Sequence, residues 1–207
     1  MSKFIKWIGG SLLIVAILYV IFKMVVTLAL GPTWAHIYTK KDLIANYQAK
    51  KTAILAVKDY FATIVPPHKR IEIEFTDSHT LGRLDVSSLD SATGATIYPI
   101  FQQWDLSTTS PQVDSILAAL HWTQDTLKRL KHKLDLAFCI SIGSGDPCEV
   151  GFQRSGMGIY SYELFSKPIT DSLKDRYNNG CTDIIYNPTV VLEYGGGVIG
   201  PQCFPKD

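Results

Sequence analysis

The chain has 207 residues, of which 46% are hydrophobic and 19% charged, with a formal net charge of +1. That length holds one ordinary domain and a further segment. Near-zero net charge excludes the strong field that draws in nucleic acid, so no nucleic-acid partner is expected, and the charged share is low for a soluble protein.

The shortage of charge traces to the N-terminus. From Trp7 to Phe22 sixteen residues, WIGGSLLIVAILYVIF, carry no charge; Lys23 interrupts, and MVVTLAL continues the run to Leu30. As one helix, residues 7–30 span roughly 36 Å at about 1.5 Å per residue, and a bilayer's hydrocarbon core needs about 30 Å. Lys23 falls two turns from the far end, where its stem carries the ammonium towards the headgroups. Trp7 lies at one edge and Trp34 and Tyr38 beyond the other, as interfacial aromatics do. The expectation is a transmembrane anchor over residues 1–31, with the lipid bilayer as partner through residues 7–30. A cleaved signal peptide has a shorter apolar stretch, and Pro32 follows the small-x-small site at Ala29-Leu30-Gly31. No Cys precedes Cys139, which argues against a lipoprotein. Lysines flank the segment on both sides (Lys3 and Lys6, then Lys40, Lys41, Lys50 and Lys51), so the positive-inside rule gives no clean vote. The basic N-terminus lies nearer the membrane, which favours a cell-membrane protein with its domain extracytoplasmic.

Gly31-Pro32 ends or kinks the first helix. A second begins after Thr39, an N-cap with Asp42 three places on, and stops at Pro66-Pro67. Leu43, Tyr47, Ile54, Val57, Phe61 and Ile64 form its apolar stripe. Residues 32–66 are therefore expected to link the anchor to a globular domain over residues 67–207.

RIEIEFTDSHTLGRLDVSS reads as a β-hairpin, with Ile71, Ile73 and Phe75 alternating with polar residues. A four-residue loop at Asp77–Thr80 sets Glu74 opposite Arg83, Ile73 opposite Leu84, Ile71 opposite Val86 and Phe75 over Gly82. A polar stretch around IYPIFQQW follows. Ser110 then caps and Pro111 opens a helix expected to run to about Leu134, with Trp122-Thr123 the place where it would bend. LAFCISI, EVGFQR, MGIYSYELF, TDIIY and TVVLEY are β-rich, with a short helix near ITDSLKDRY. The expected class is α+β: an N-terminal transmembrane helix, then an antiparallel sheet packed against two long amphipathic helices.

Four cysteines, Cys139, Cys148, Cys181 and Cys203, lie in the C-terminal third without a C-x-x-C pair, so no metal is expected. They allow two disulfides in an oxidising compartment or four buried thiols in a reducing one. Cys181–Cys203, closing the C-terminal segment, is the first pairing expected. Gly195, Gly197 and Gly200 match G-x-G-x-x-G, but Pro201 follows at once and no helix N-terminus is available for a pyrophosphate, so no cofactor is expected.

Several stretches carry chemistry-bearing residues. LKRLKHKLD, with Lys128, Arg129, Lys131, His132 and Lys133, is either a basic patch or a solvated helix end. Asp77-Ser78-His79 cannot form a triad among themselves and suit a turn. Cys139 or Cys148 as nucleophile lacks a local signature. The ligand-binding expectation falls on GFQRSGMGIY: Gln153 and Arg154 beside a glycine loop, with Tyr160 and Tyr162 on one strand face.

A basic leader with Lys3 and Lys6, Gly10 before an apolar helix, Pro32 twenty-two residues after that glycine, an amphipathic continuation to about Val65 and a late cysteine pair together resemble a type IV pilin or pseudopilin. In that family the glycine precedes the cleavage point and an acid at the fifth mature position registers the subunits. Here that position is Val15, and Lys23 would enter the filament core. The function expected is a single-pass membrane-anchored protein whose domain binds or scaffolds rather than catalyses. The alternatives are a membrane-tethered hydrolase and a pilin-like subunit.

Overall fold

The computed structural model describes residues 18–24, 38–156, 158–195, 200 and 202–205. The chain divides into two compact units, Met1–His36 and Ile37–Asp207. In the first, residues 18–24 are helical (α1), and Leu18, Tyr19, Val20, Ile21, Phe22 and Met24 are exposed. Among the described residues no helix is long and apolar enough to cross a membrane. The rest of the expected span, residues 7–17 and 25–30, lies outside them, as do Gly10, Val15 and Pro32, on which the pilin resemblance rests.

The second unit is α+β. Its first helix, α2 (Lys40–Ile64), starts where Thr39 and Asp42 form a reciprocal capping box, Thr39 N donating to Asp42 Oδ2 at 2.8 Å and Asp42 N to Thr39 Oγ1 at 3.3 Å. It stops before Pro66, with Val65 already extended. Leu43, Tyr47, Ile54, Val57 and Phe61 are buried along one stripe. The segment expected as a link to the domain thus forms part of the domain's own core.

Eight antiparallel strands follow: β1 (Lys69–Phe75), β2 (Thr80–Leu89), β3 (Thr96–Ser107), β4 (Ser141–Gly143), β5 (Cys148–Ser155), β6 (Gly158–Leu164), β7 (Asp183–Asn187) and β8 (Val190–Gly195). Their order in the sheet is β3-β2-β1-β4-β5-β6-β8-β7. The expected hairpin register is observed at Ile71–Val86, Ile73–Leu84 and Glu74–Arg83. Phe75 pairs with Leu81 rather than Gly82, because a bulge after Glu74 leaves Gly82 as the extra residue. A side chain there would put its Cβ 2.8 Å from Thr76 Oγ1. The polar stretch around IYPIFQQW is the twelve-residue edge strand β3, with Ile97, Ile100 and Trp104 exposed.

The helix expected from Pro111 to Leu134 is two helices, α3 (Pro111–Ala119) and α4 (Gln124–Ala137). His121 takes φ +56° and Thr123 caps afresh, its hydroxyl accepting from Thr126 N at 3.2 Å. Trp122 enters the core between them, its Nε1 donating to Ile64 O at 2.7 Å, so the end of α2 fixes the corner. Only one of the two expected long helices is therefore continuous. A short helix, α5 (Asp171–Tyr177), precedes β7.

One sheet face packs on α2 and α4 and is apolar: Ile71, Ile73, Leu84, Val86, Ile142, Val150, Phe152, Tyr160, Tyr162 and Leu192 are all buried there. Cys181 and Cys203 form a disulfide, which holds Phe204 against Tyr160 and Tyr194. The second pair allowed by the sequence does not form. Cys139 and Cys148 are free and fill core positions as small apolar groups.

Candidate functional site

The four expected ligand-binding residues do not converge. Tyr162 is fully buried; its hydroxyl donates to Leu43 O at 2.8 Å and accepts from Asn46 Nδ2 at 3.1 Å, which ties β6 to α2. Tyr160 is equally buried and stacks on Tyr194 at 4.1 Å between ring centroids. Gln153 Nε2 donates to Phe138 O at the end of α4. Arg154 instead grips the carboxylate of Glu74 with Nε and Nη2 at 2.5 and 2.6 Å. Tyrosines and glutamine serve the core side, and the arginine serves the opposite face.

That opposite face is charged. Strand pairing aligns one residue per strand across it: Gln102, Asp85, Glu72, Gly143, Glu149 and Glu163, from β3 to β6. The adjacent row brings Arg83, Glu74, Ser141, Gly151, Ser161, Glu193 and Asp183 alongside. Gly151 admits no substituent, since a Cβ would lie 2.0 Å from Ser141 Oγ. At the β1–β2 end the charges are paired: Arg83 bonds Glu72 at 2.9 Å and Asp85 at 2.5 Å. At the β5–β8 end carboxylates face carboxylates. Burial pushes Glu149 up to about 7, and the neighbouring Glu193 and Glu72 add to it. Glu163 is raised to about 8 by burial and then by Glu193 and Glu149. Glu193 is raised by burial as well, against a bond from Ser161 Oγ at 3.1 Å. Glu163 Oε2 is buried without a hydrogen-bond partner among the described residues. Like charges on facing strands cannot all ionise in a partly desolvated site, so the row holds protons near neutral pH.

Helix α5 covers the far end of this face, where Tyr177 packs with Ile169 and Val191. Between α5 and the carboxylate row lies a cavity of about 290 Å³ lined by Glu72, Glu149, Glu163, Arg176 and the loop Ser144–Pro147. The same loop borders a second cavity, of about 390 Å³, at that end of the sheet. Lys58, Lys69 and Arg70 line it with Ser144 and Ser166, over an apolar wall that includes Phe61, Val65 and Leu89. Buried Cys148 lies at its base, its thiol pushed up to about 12 by burial despite nearby Lys58. Burial raises Cys139 too. Neither cysteine is a ready thiolate nucleophile.

At the other end, a cavity of about 490 Å³ joins two stretches singled out in the sequence. The β1–β2 turn supplies Ser78 and His79, and α4 supplies Lys128, Lys131, His132 and Asp135. Asp135 is ion-paired with Lys131. Among the described residues no group of His, Cys, Asp and Glu is arranged to hold a metal ion.

Glu149, Glu163, Glu193, Lys58 and Lys69 were not legible as site residues. Strand alternation assigns the glutamates to the polar parity, but their neighbours on that face come from strand order. No protein-family model matches this chain, and neither a curated protein nor a solved structure does.

Proposed function

We propose that the protein is a single-pass, membrane-tethered binding module, anchored through residues 7–30, with its α+β domain on the extracytoplasmic side. The observation that supports this most is the apolar run from Trp7 to Leu30, broken only by Lys23. Helical residues 18–24 expose six large apolar side chains within it, a costly surface to leave in water. One disulfide beside two buried thiols is compatible with an oxidising compartment. The domain's contribution is its end-of-sheet cavities, one acidic and one basic, which suit recognition of a small polar ligand. Alkaline carbonate extraction of native membranes tests the tether: the protein should stay in the pellet, and release into the supernatant rules the anchor out. Membrane-impermeant maleimide applied to intact cells after mild reduction should reach Cys181 and Cys203; labelling only after permeabilisation reverses the orientation.

A second reading, a tethered hydrolase, draws on the cavity that unites Ser78, His79, His132 and Asp135. It ranks behind because all four side chains are exposed and Asp135 is engaged by Lys131. Among the described residues no hydrogen bond links Ser78 to either imidazole, whereas nucleophilic catalysis rests on such a relay. A fluorophosphonate probe decides: covalent labelling lost in Ser78→Ala supports the hydrolase, and absence of labelling removes it.

A further inference from the structure

We infer that the cavity lined by Lys58, Lys69 and Arg70 is a binding site for a small phosphomonoester with an apolar substituent. Three cations from two elements converge on one concavity: Lys58 from the last third of α2, and Lys69 and Arg70 from the start of β1. No carboxylate lines it, and among the described residues none of the three is in an ion pair. Arg70, on the strand parity of Glu72, also lines the acidic cavity and offsets the charge of Glu72 and Glu149, so Lys58 and Lys69 are the cations this cavity holds to itself. Five other cations of this domain, Arg83, Arg129, Lys131, Arg154 and Lys174, hold carboxylates. Lys58 and Lys69 are half-buried, and Lys69 Nζ is steered by a 3.1 Å bond to Ser88 Oγ that leaves its other donors available.

The chemistry of the wall narrows the class. Three positive charges and the hydroxyls of Ser144 and Ser166 suit an oxyanion carrying two negative charges and several acceptors. Phe61, Val65 and Leu89, which line the same cavity, suit a hydrocarbon or aromatic group on its ester side. The adjoining end of α2 opposes an anion by at most about half a charge. Two of its carbonyls are already engaged, Ile64 O by Trp122 and Phe61 O by Val65 N, so the full charges of the lysines prevail. A volume of about 390 Å³ fits a ligand of metabolite size. Lys58 stands nineteen residues beyond Thr39, roughly 28 Å along α2 at about 1.5 Å per residue. Both a soluble phosphomonoester and the headgroup of a phosphatidic-acid lipid share the required chemistry.

The test is calorimetric titration of the full chain in phosphatidylcholine nanodiscs with phenyl phosphate and with inorganic phosphate. Phenyl phosphate should bind saturably, one per chain, and at least 5-fold more tightly than inorganic phosphate. Lys58→Gln and Arg70→Gln should each weaken it at least 5-fold, while Arg70→Lys keeps most of the affinity. Lys128→Gln, at the other end of the sheet, should leave it unchanged. Nanodiscs containing phosphatidic acid separate the sources: a drop in phenyl phosphate affinity identifies the headgroup as ligand, and an unchanged affinity identifies a soluble one. No saturable heat overturns the site. So does an affinity that Lys58→Gln and Arg70→Gln leave unaltered while circular dichroism shows native secondary structure. This site does not depend on the tether: loss of the anchor in carbonate leaves the phenyl phosphate test standing, and failure of that test leaves the anchor standing.

Discussion

The two faces of one sheet are built on opposite terms. On the helix-facing side every large residue meets an apolar neighbour, and the hydroxyl of Tyr162 is satisfied twice. On the other side, paired charges at β1–β2 give way at β5–β8 to carboxylates that, among the described residues, are in no salt bridge. The same strands supply both, one parity to each. The first face supplies the cohesion of the fold. The second holds carboxyls whose ionisation burial and their acidic neighbours oppose.

The largest effects should come from breaking the apolar face. Ile73→Ala removes a fully buried side chain between β2 and β4 and should cost about 3–4 kcal/mol in denaturant unfolding. Opening the Cys181–Cys203 bridge by a double change to serine should cost about 3 kcal/mol, as its loop length implies, and should free Phe204 from the Tyr160–Tyr194 stack. Near-ultraviolet circular dichroism would report that loosening.

The charged face should show its character in pH. A carboxyl raised from 4.5 to about 7 (Glu149) or 8 (Glu163) binds its proton more tightly in the native state than in the unfolded chain. Its contribution is then present in full below pH 4.5 and is lost as pH rises through 7 to 8. Stability should accordingly fall between pH 5 and pH 9, and Glu149→Gln or Glu163→Gln should flatten that slope. A melting temperature that rises over this interval would remove the carboxylate row from the account.

Smaller contrasts sharpen the picture within the apolar face. Tyr162→Phe breaks its bond to Leu43 O and leaves Asn46 with Ala137 O alone of its two acceptors, and should cost about 1–2 kcal/mol. Tyr160→Phe should change stability by less than about 0.5 kcal/mol, because the Tyr160 hydroxyl is buried with no hydrogen-bond partner among the described residues. Equal costs for the two tyrosines would contradict the bonding pattern.

Much of the apolar face was legible in the sequence. The Thr39–Asp42 box, the stripe from Leu43 to Phe61 and the register Ile71–Val86 all follow from local rules that tertiary packing did not override. The break at Trp122-Thr123 was not legible as two helices, because a buried Trp bonding Ile64 O is a long-range cause. Strand β3 escaped because an edge strand exposed along most of its length lacks the alternation that marks a half-buried one. The site was the least legible part. Gln153, Arg154, Tyr160 and Tyr162 are near in sequence, but a bulge and the strand pleat send them to different faces. Glu149, Glu163 and Glu193 become neighbours only through the order β5-β6-β8, and Lys58 meets Lys69 only where the chain turns from α2 into β1.

The division between the faces is tested most directly by carbon-detected NMR titration of the glutamate side-chain carboxyls in the full chain. Glu149 and Glu163 should titrate with midpoints near 7 and 8. Midpoints for both at the ordinary glutamate value near 4.5 would show the row to be a solvated surface and contradict the account.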